Sequence, residues 1–343
     1  MENRILYIQY LRVIAMFMIV YDHLGAFRNQ EWIVAKFFDF YFNKPLGLIQ
    51  DFGALGVSIF YIISGFLLFK KINESPNLDI KKYFKKKLKI LYIPVILSGI
   101  LFLCLQKTLF YLFRIGGYWE QFEWIEWIKS ITLLHYILKG NDIIIGVTWF
   151  LIPLFIFYLY IFCFLNIGIE NLSRLSYLFN IVNILNIIIF YKCENLYVNN
   201  YMYYFCFANI CIIGGELYLL LQKMKCLNIF LIIFTWINII NTFYLFANPY
   251  FEDDKYLVST VVGICMFVLF YLYNYKLKEN KFISNLDKYS YEIYLIHMTF
   301  GSMILGTLEK SLDYSFIFSI TLILIYFLAI QFFKFKNFIL RLI

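Results

Sequence analysis

An all-α bundle of about ten membrane-spanning helices is the fold this sequence predicts, and three observations predict it. The 343 residues are 62% hydrophobic, 22% aromatic and 15% charged, against about 45–50% apolar and about 25% charged in soluble domains. No soluble core would bury so much apolar surface. Several charge-free stretches run for about 20 residues, the length a helix needs to cross roughly 30 Å of hydrocarbon. These runs are continuous rather than alternating, which argues against a membrane β-barrel.

Apolar runs set against turn and charge signals predict spans near 5–27, 46–69, 89–106, 143–168, 175–191, 203–222, 228–247, 257–275, 289–308 and 315–333. The first run has no small-residue cleavage site behind it and is too long for a signal sequence, so it is expected to be a retained span that keeps residue 1. Pro94 and Pro153 fall within a turn or two of expected span starts, where membranes tolerate a kink. With the N-terminus inside, cytosolic segments hold about 19 Lys and Arg and outer segments about 10, so both termini are expected in the cytosol. The 107–142 segment, dense in Trp and charge, reads as a loop lying in the outer interface. No internal repeat, low-complexity tract or second domain is readable, and one membrane domain over 1–343 accounts for the chain. The seven cysteines are dispersed, with neither a CxxC nor metal-ligand spacing, and read as small buried apolar residues.

Ionisable residues inside spans are costly and mark functional paths. Arg12 and His23 lie 11 positions apart in the first span, about 1,100° of rotation, so they share one stripe roughly 16 Å apart. Arg12 snorkelling to the headgroups and His23 at the outer interface is the competing structural reading. Asp22 adjoins His23 but points about 100° away, and would hold the ring only if the helix ends there. The second span presents Gly53, Ala54, Gly56, Ser58, Ser64 and Gly65, letting a neighbouring helix or an acyl chain approach closely. After it come Lys70 and Lys71, then IKKYFKKKLKILYIP, which includes Lys85, Lys86, Lys87 and Lys89. Such a cluster suits anionic headgroups or a phosphorylated ligand, at about 1 kcal/mol per basic residue, although positive-inside topology competes as an explanation. Trp149 opens the fourth span in TWFL, Glu216 is a further intramembrane acid, and the ninth span carries Tyr294 and His297.

Taken in order, Arg12 and His23, GVSIFYIISGFLL at Gly56 to Leu68, the basic stretch leading to Pro94, TWFL at Thr148 to Leu151 and SYEIYLIH at Ser290 to His297 resemble the acyltransferase-3 family of membrane O-acyltransferases. The likeness runs from the first span to the ninth. It implies a ten-helix enzyme of a bacterial cytoplasmic membrane that moves an acyl group, usually acetyl, from cytosolic acyl-CoA to a hydroxyl of an envelope polysaccharide or lipid-linked sugar. Acetyl-CoA would be the donor substrate, with no metal and no nucleic acid involved. By the same resemblance His23 would be general base or transient acyl carrier, Arg12 would hold the inner part of the donor, and Lys85, Lys86, Lys87 and Lys89 would meet the coenzyme phosphates.

An imidazole suits deprotonation of a sugar hydroxyl, typically contributing about 10²–10⁴-fold. Arg12 is too far from His23 to serve the oxyanion, for which Ser64 and Tyr294 are the candidates. The chain departs from the family in offering lysines where arginines are frequent, which keeps charge but weakens bidentate phosphate recognition. No hydrolase-like domain is readable in these residues, so the membrane domain itself is expected to handle the acceptor. Its Lys-, Asn- and Ile-rich composition fits an AT-rich bacterial genome. A transporter or flippase using Arg12, His23, Glu216 and His297 as a path, or an assembly subunit without chemistry, remain the alternatives.

Overall fold

A computed structural model describes residues 5–26, 29–48, 52–75, 78–113, 123–139, 146–193, 195–222, 226–246, 253–308 and 313–342. Every regular element among them is helical. The first half contains α1 (Leu6–Tyr21), α2 (Ile33–Phe38), α3 (Lys44–Leu46), α4 (Phe52–Glu74), α5 (Ile80–Phe113), α6 (Trp124–Ile131), α7 (Leu134–Lys139) and α8 (Leu151–Asn166). The second half contains α9 (Leu172–Phe190), α10 (Leu196–Gln222), α11 (Cys226–Leu245), α12 (Asp253–Leu272), α13 (Lys281–Ile296), α14 (Ser302–Leu308) and α15 (Tyr314–Leu342).

Among the described residues, 7 helices are long and apolar enough to cross a membrane, against the ten spans expected. Helices also occupy the other three places. Regular α1 stops after 16 residues and passes into a π turn, Asp22–Ala26. Likewise α13 passes through the π turn His297–Gly301 into α14. The apolar part of α12 is the shorter stretch Tyr256–Leu272.

The second difference concerns the lysine-rich stretch, expected as a loop. It is the opening of α5, because lysine is a good helix former and the lysines recur on an exposed face. Pro94 therefore lies well inside a helix rather than near its start. The proline removes a backbone donor and crowds the preceding turn. There the hydroxyl of Tyr291 donates to the Leu91 carbonyl at 2.5 Å. α5 also takes in residues 107–113, which the sequence assigns to a loop. Of that expected loop, 114–122 and 140–142 lie outside the described residues. α6 forms with Trp124, Ile125 and Ile128 exposed and Trp127 buried.

α4 and α10 form the centre, each with 83% of its span buried. A Cβ on Gly65 would sit 1.7 Å from the Cys211 carbonyl oxygen, and one on Gly214 would sit 2.0 Å from that of Ile62. The two helices meet backbone to backbone, so the small face of α4 serves helix packing. Cys104, Cys163, Cys193, Cys206, Cys211 and Cys265 are free.

Candidate active site

Two polar rungs join α1 to α13. At one end Arg12 pairs with Asp287 at 3.1 Å; at the other, His23 Nδ1 lies 2.8 Å from His297 Nε2. The rungs are 11 positions apart on α1 and 10 on α13, or about 15–16 Å of helix, so the two helices run parallel. Arg12 and His23 do share a stripe, and that stripe faces α13.

Both histidines sit in π turns that touch each other. An extra residue in the turn rotates the side chain and frees backbone carbonyls, which is why such turns collect at functional sites. The Leu24 carbonyl receives the Tyr314 hydroxyl at 2.5 Å. A Cβ on Gly301 would fall 2.6 Å from Leu24 Cδ1, so the glycine lets the two turns pack together without displacing that side chain. His297 is fully buried, whereas His23 is half-buried. Asp22 is buried beside it.

The other end of the ladder opens into a cavity of about 980 Å³ between α1, α4, α5, α13 and α15. Arg12, Lys70, Lys71, Lys86, Lys87 and Lys288 line it, against Glu74 and Asp287. The excess of cations suits a polyanion. Of the four lysines chosen from the sequence, Lys86 and Lys87 line this wall. Lys85 and Lys89 do not, because successive positions on α5 turn to other faces.

The remaining candidates lie within the helix packing. The Ser64 hydroxyl donates to the Phe60 carbonyl of its own helix at 2.8 Å, and the Tyr294 hydroxyl donates to the Val147 carbonyl. Both hydroxyl protons are therefore engaged within the protein. Tyr294 nonetheless belongs to the site, since its carbonyl lies 2.6 Å from His297 Nδ1 and its ring 5.6 Å from the His297 ring. Trp149, in the turn Thr148–Phe150 that opens α8, packs on Phe207 and Tyr256. Its neighbour Phe150 meets the Tyr294 ring at 4.6 Å. Among the described residues no group of three or more His, Cys, Asp and Glu is placed to hold a metal ion.

A family model described as an acyltransferase domain, acyltransferase-3, matches residues 5–333. The chain belongs to the acyltransferase-3 family. No curated protein matches the chain, and no solved structure does. The acyltransferase-3 match takes in both rungs of the ladder, the lysine-lined cavity and the turn at Trp149. Membership makes the protein a membrane acyltransferase.

Sequence reasoning missed Asp287 as the partner of Arg12 and Lys288 as a cavity wall; Lys70 and Lys71 belong to the basic cluster read from the sequence but were not among the four lysines chosen from it. A signal for the first was present: Asp287 and His297 repeat, one residue shorter, the spacing of Arg12 and His23. A further buried pair, Glu292 with Lys336, ties α13 to α15. Lys336, one of the basic residues of the expected cytosolic segments, is buried, with its ammonium 4.6 Å from the Phe333 ring centre.

Proposed function

We propose that this acyltransferase is an O-acetyltransferase that takes acetyl from acetyl-CoA on the lysine-rich side and places it on a hydroxyl of an extracytoplasmic polysaccharide or lipid-linked sugar. One observation carries the reading: a cationic cavity and a half-open imidazole lie at opposite ends of the same helix pair. At about 1 kcal/mol per basic residue, Lys70, Lys71, Lys86, Lys87 and Lys288 together supply enough attraction to hold the coenzyme phosphates. The pantetheine arm then reaches along the ladder towards His23.

His23 acts there as general base. Its imidazole takes the proton of the acceptor hydroxyl while that oxygen bonds to the thioester carbonyl carbon. The C–S bond breaks, and the departing thiolate takes up the proton. Imidazole chemistry of this kind contributes about 10²–10⁴-fold. Arg12, held by Asp287, borders the cavity with a third of its side chain exposed and meets the inner part of the donor. The protein lies in a bacterial cytoplasmic membrane with ten spans and cytosolic termini. α1, α12 and the α13–α14 pair supply the three spans beyond the seven long ones.

The test supplies radiolabelled acetyl-CoA to membranes holding wild type or His23→Ala and follows label into envelope glycan. Wild type should label and the variant should lose at least about 100-fold. Equal labelling removes His23 from the mechanism, and no labelling by wild type removes acetyl-CoA as donor.

A further inference from the structure

We propose that His297 is a positioning residue that fixes the tautomer of His23, presenting His23 Nε2 to the acceptor as a bare lone pair. The inference rests on the general-base reading of His23. It is built from a chain of three groups whose order admits a single arrangement of protons.

The chain begins at the Tyr294 carbonyl, which can only accept a hydrogen bond. His297 Nδ1 lies 2.6 Å from it, so that nitrogen carries the proton. A neutral imidazole has one N–H, and His297 Nε2 is therefore an acceptor. It lies 2.8 Å from His23 Nδ1, which must donate to it. By the same rule His23 Nε2 carries no proton.

The ring geometry supports a directed bond. The two ring planes are within 4° of parallel and their centroids are 5.1 Å apart. Each nitrogen sits just over an ångström from its ring centre, so a 2.8 Å contact at that separation requires the rings to meet edge to edge in one plane. The His23 N–H points straight along the lone pair of His297.

The arrangement also explains why the buried ring is a histidine. A group at 297 must donate to a fixed carbonyl on one side and accept from His23 on the other, and imidazole does both across one rigid ring. When His23 gains a proton at Nε2, its Nδ1–H bond to His297 becomes charge-assisted and strengthens. His297 thus orients the base in the resting state and steadies the imidazolium that forms, while touching neither donor nor acceptor. The half-open burial of His23 and the full burial of His297 match these separate roles.

Two measurements test it. The chain has 3 histidines, so solid-state NMR of wild-type protein labelled with ¹⁵N-histidine, assigned with single His variants, reads each tautomer directly. Nδ1–H with a bare Nε2 is expected at both His23 and His297; a protonated Nε2 on neutral His23 overturns the proposal. The second compares transfer by His297→Leu and His297→Gln in protein that elutes as a single folded species. Leucine keeps bulk without an acceptor and should lower kcat at least about 10-fold, with KM for acetyl-CoA within about twofold. Glutamine, whose amide oxygen accepts from His23 Nδ1, should recover most of that loss. Equal rates for the two variants, or wild-type rates in both while His23→Ala is inactive, would leave His297 a packing residue. Full activity in His23→Ala would instead remove the base itself, and this proposal with it.

Discussion

Where α10 meets α9 and α11, Glu216 is fully buried and one carboxylate oxygen accepts from Ser176 and from Thr235, the latter at 2.7 Å. Asn180 donates to Thr235 at 2.8 Å, and Asn238 to Asn180 at 2.7 Å. Where α1 meets α13, by contrast, the buried His297 leads to a half-open His23, and the far end of the same contact borders a cavity. The first arrangement is enclosed, with successive side-chain donors directed towards one oxygen of a single carboxylate whose other oxygen is buried without a hydrogen-bond partner. The second has a part-exposed imidazole at one end and a ligand-sized space at the other, beside Arg12 and Asp287. The two differ in whether the buried polar chain stays inside the bundle or reaches a part-exposed side chain. Glu216 reads as interhelical glue, which removes one of the four residues on which a transport path was considered.

The largest expected effect separates the two regions most sharply. His23→Ala should abolish transfer to within a hundredth of wild type, whereas Glu216→Gln should leave kcat within about twofold and lower the thermal unfolding temperature. Loss of transfer in a folded Glu216→Gln protein would break the contrast.

Next in size is the Glu292–Lys336 pair between α13 and α15. Removing one partner strands a buried charge, at a cost of about 3–5 kcal/mol. Lys336→Met should therefore unfold well below wild type in detergent, and Glu292→Met with Lys336→Met should regain much of the difference. A double variant no better than the single one would show that the pair does not act as a unit.

A smaller effect divides the lysines of α5. Lys86→Glu or Lys87→Glu should raise KM for the donor several-fold, from the loss of about 1 kcal/mol per cation and the added repulsion. Lys85→Glu and Lys89→Glu should change it less, since neither lines the cavity. Uniform effects across the four would mean that the stretch acts as a diffuse field rather than a wall.

The smallest is Thr235→Val, which removes one hydroxyl donor from Glu216. It should cost stability on the order of 1–3 kcal/mol, read by thermal unfolding, with acyl transfer intact.

What the sequence made legible follows from what leaves a compositional trace. Apolar runs mark a helix's passage through lipid, and α4, α8, α9, α10 and α11 all overlap the stretches expected for them. The spacing of Arg12 and His23 put both on one stripe because α1 is regular up to Tyr21. The π turns left no such trace, since one extra residue per turn alters neither hydropathy nor charge. They interrupt the first and ninth spans and bring the imidazoles edge to edge. Asp287 is hard to single out because α13 begins in the polar stretch KFISNLDKYSYE, where an acid beside lysines looks like surface. The lysine stretch hides its helix for a related reason: dense charge signals a loop, although lysines wind into helix readily.

The central claim is that donor and acceptor reach His23 from opposite sides of the membrane. Sealed vesicles bearing the protein in one known orientation, with an acceptor glycan on the face opposite the lysine-lined cavity, test it directly. Radiolabelled acetyl-CoA supplied only to the lysine-lined face should label the glycan across the bilayer, and the label should vanish in His23→Ala. Labelling that requires acetyl-CoA on the same face as the glycan, or that persists in His23→Ala, would contradict the account.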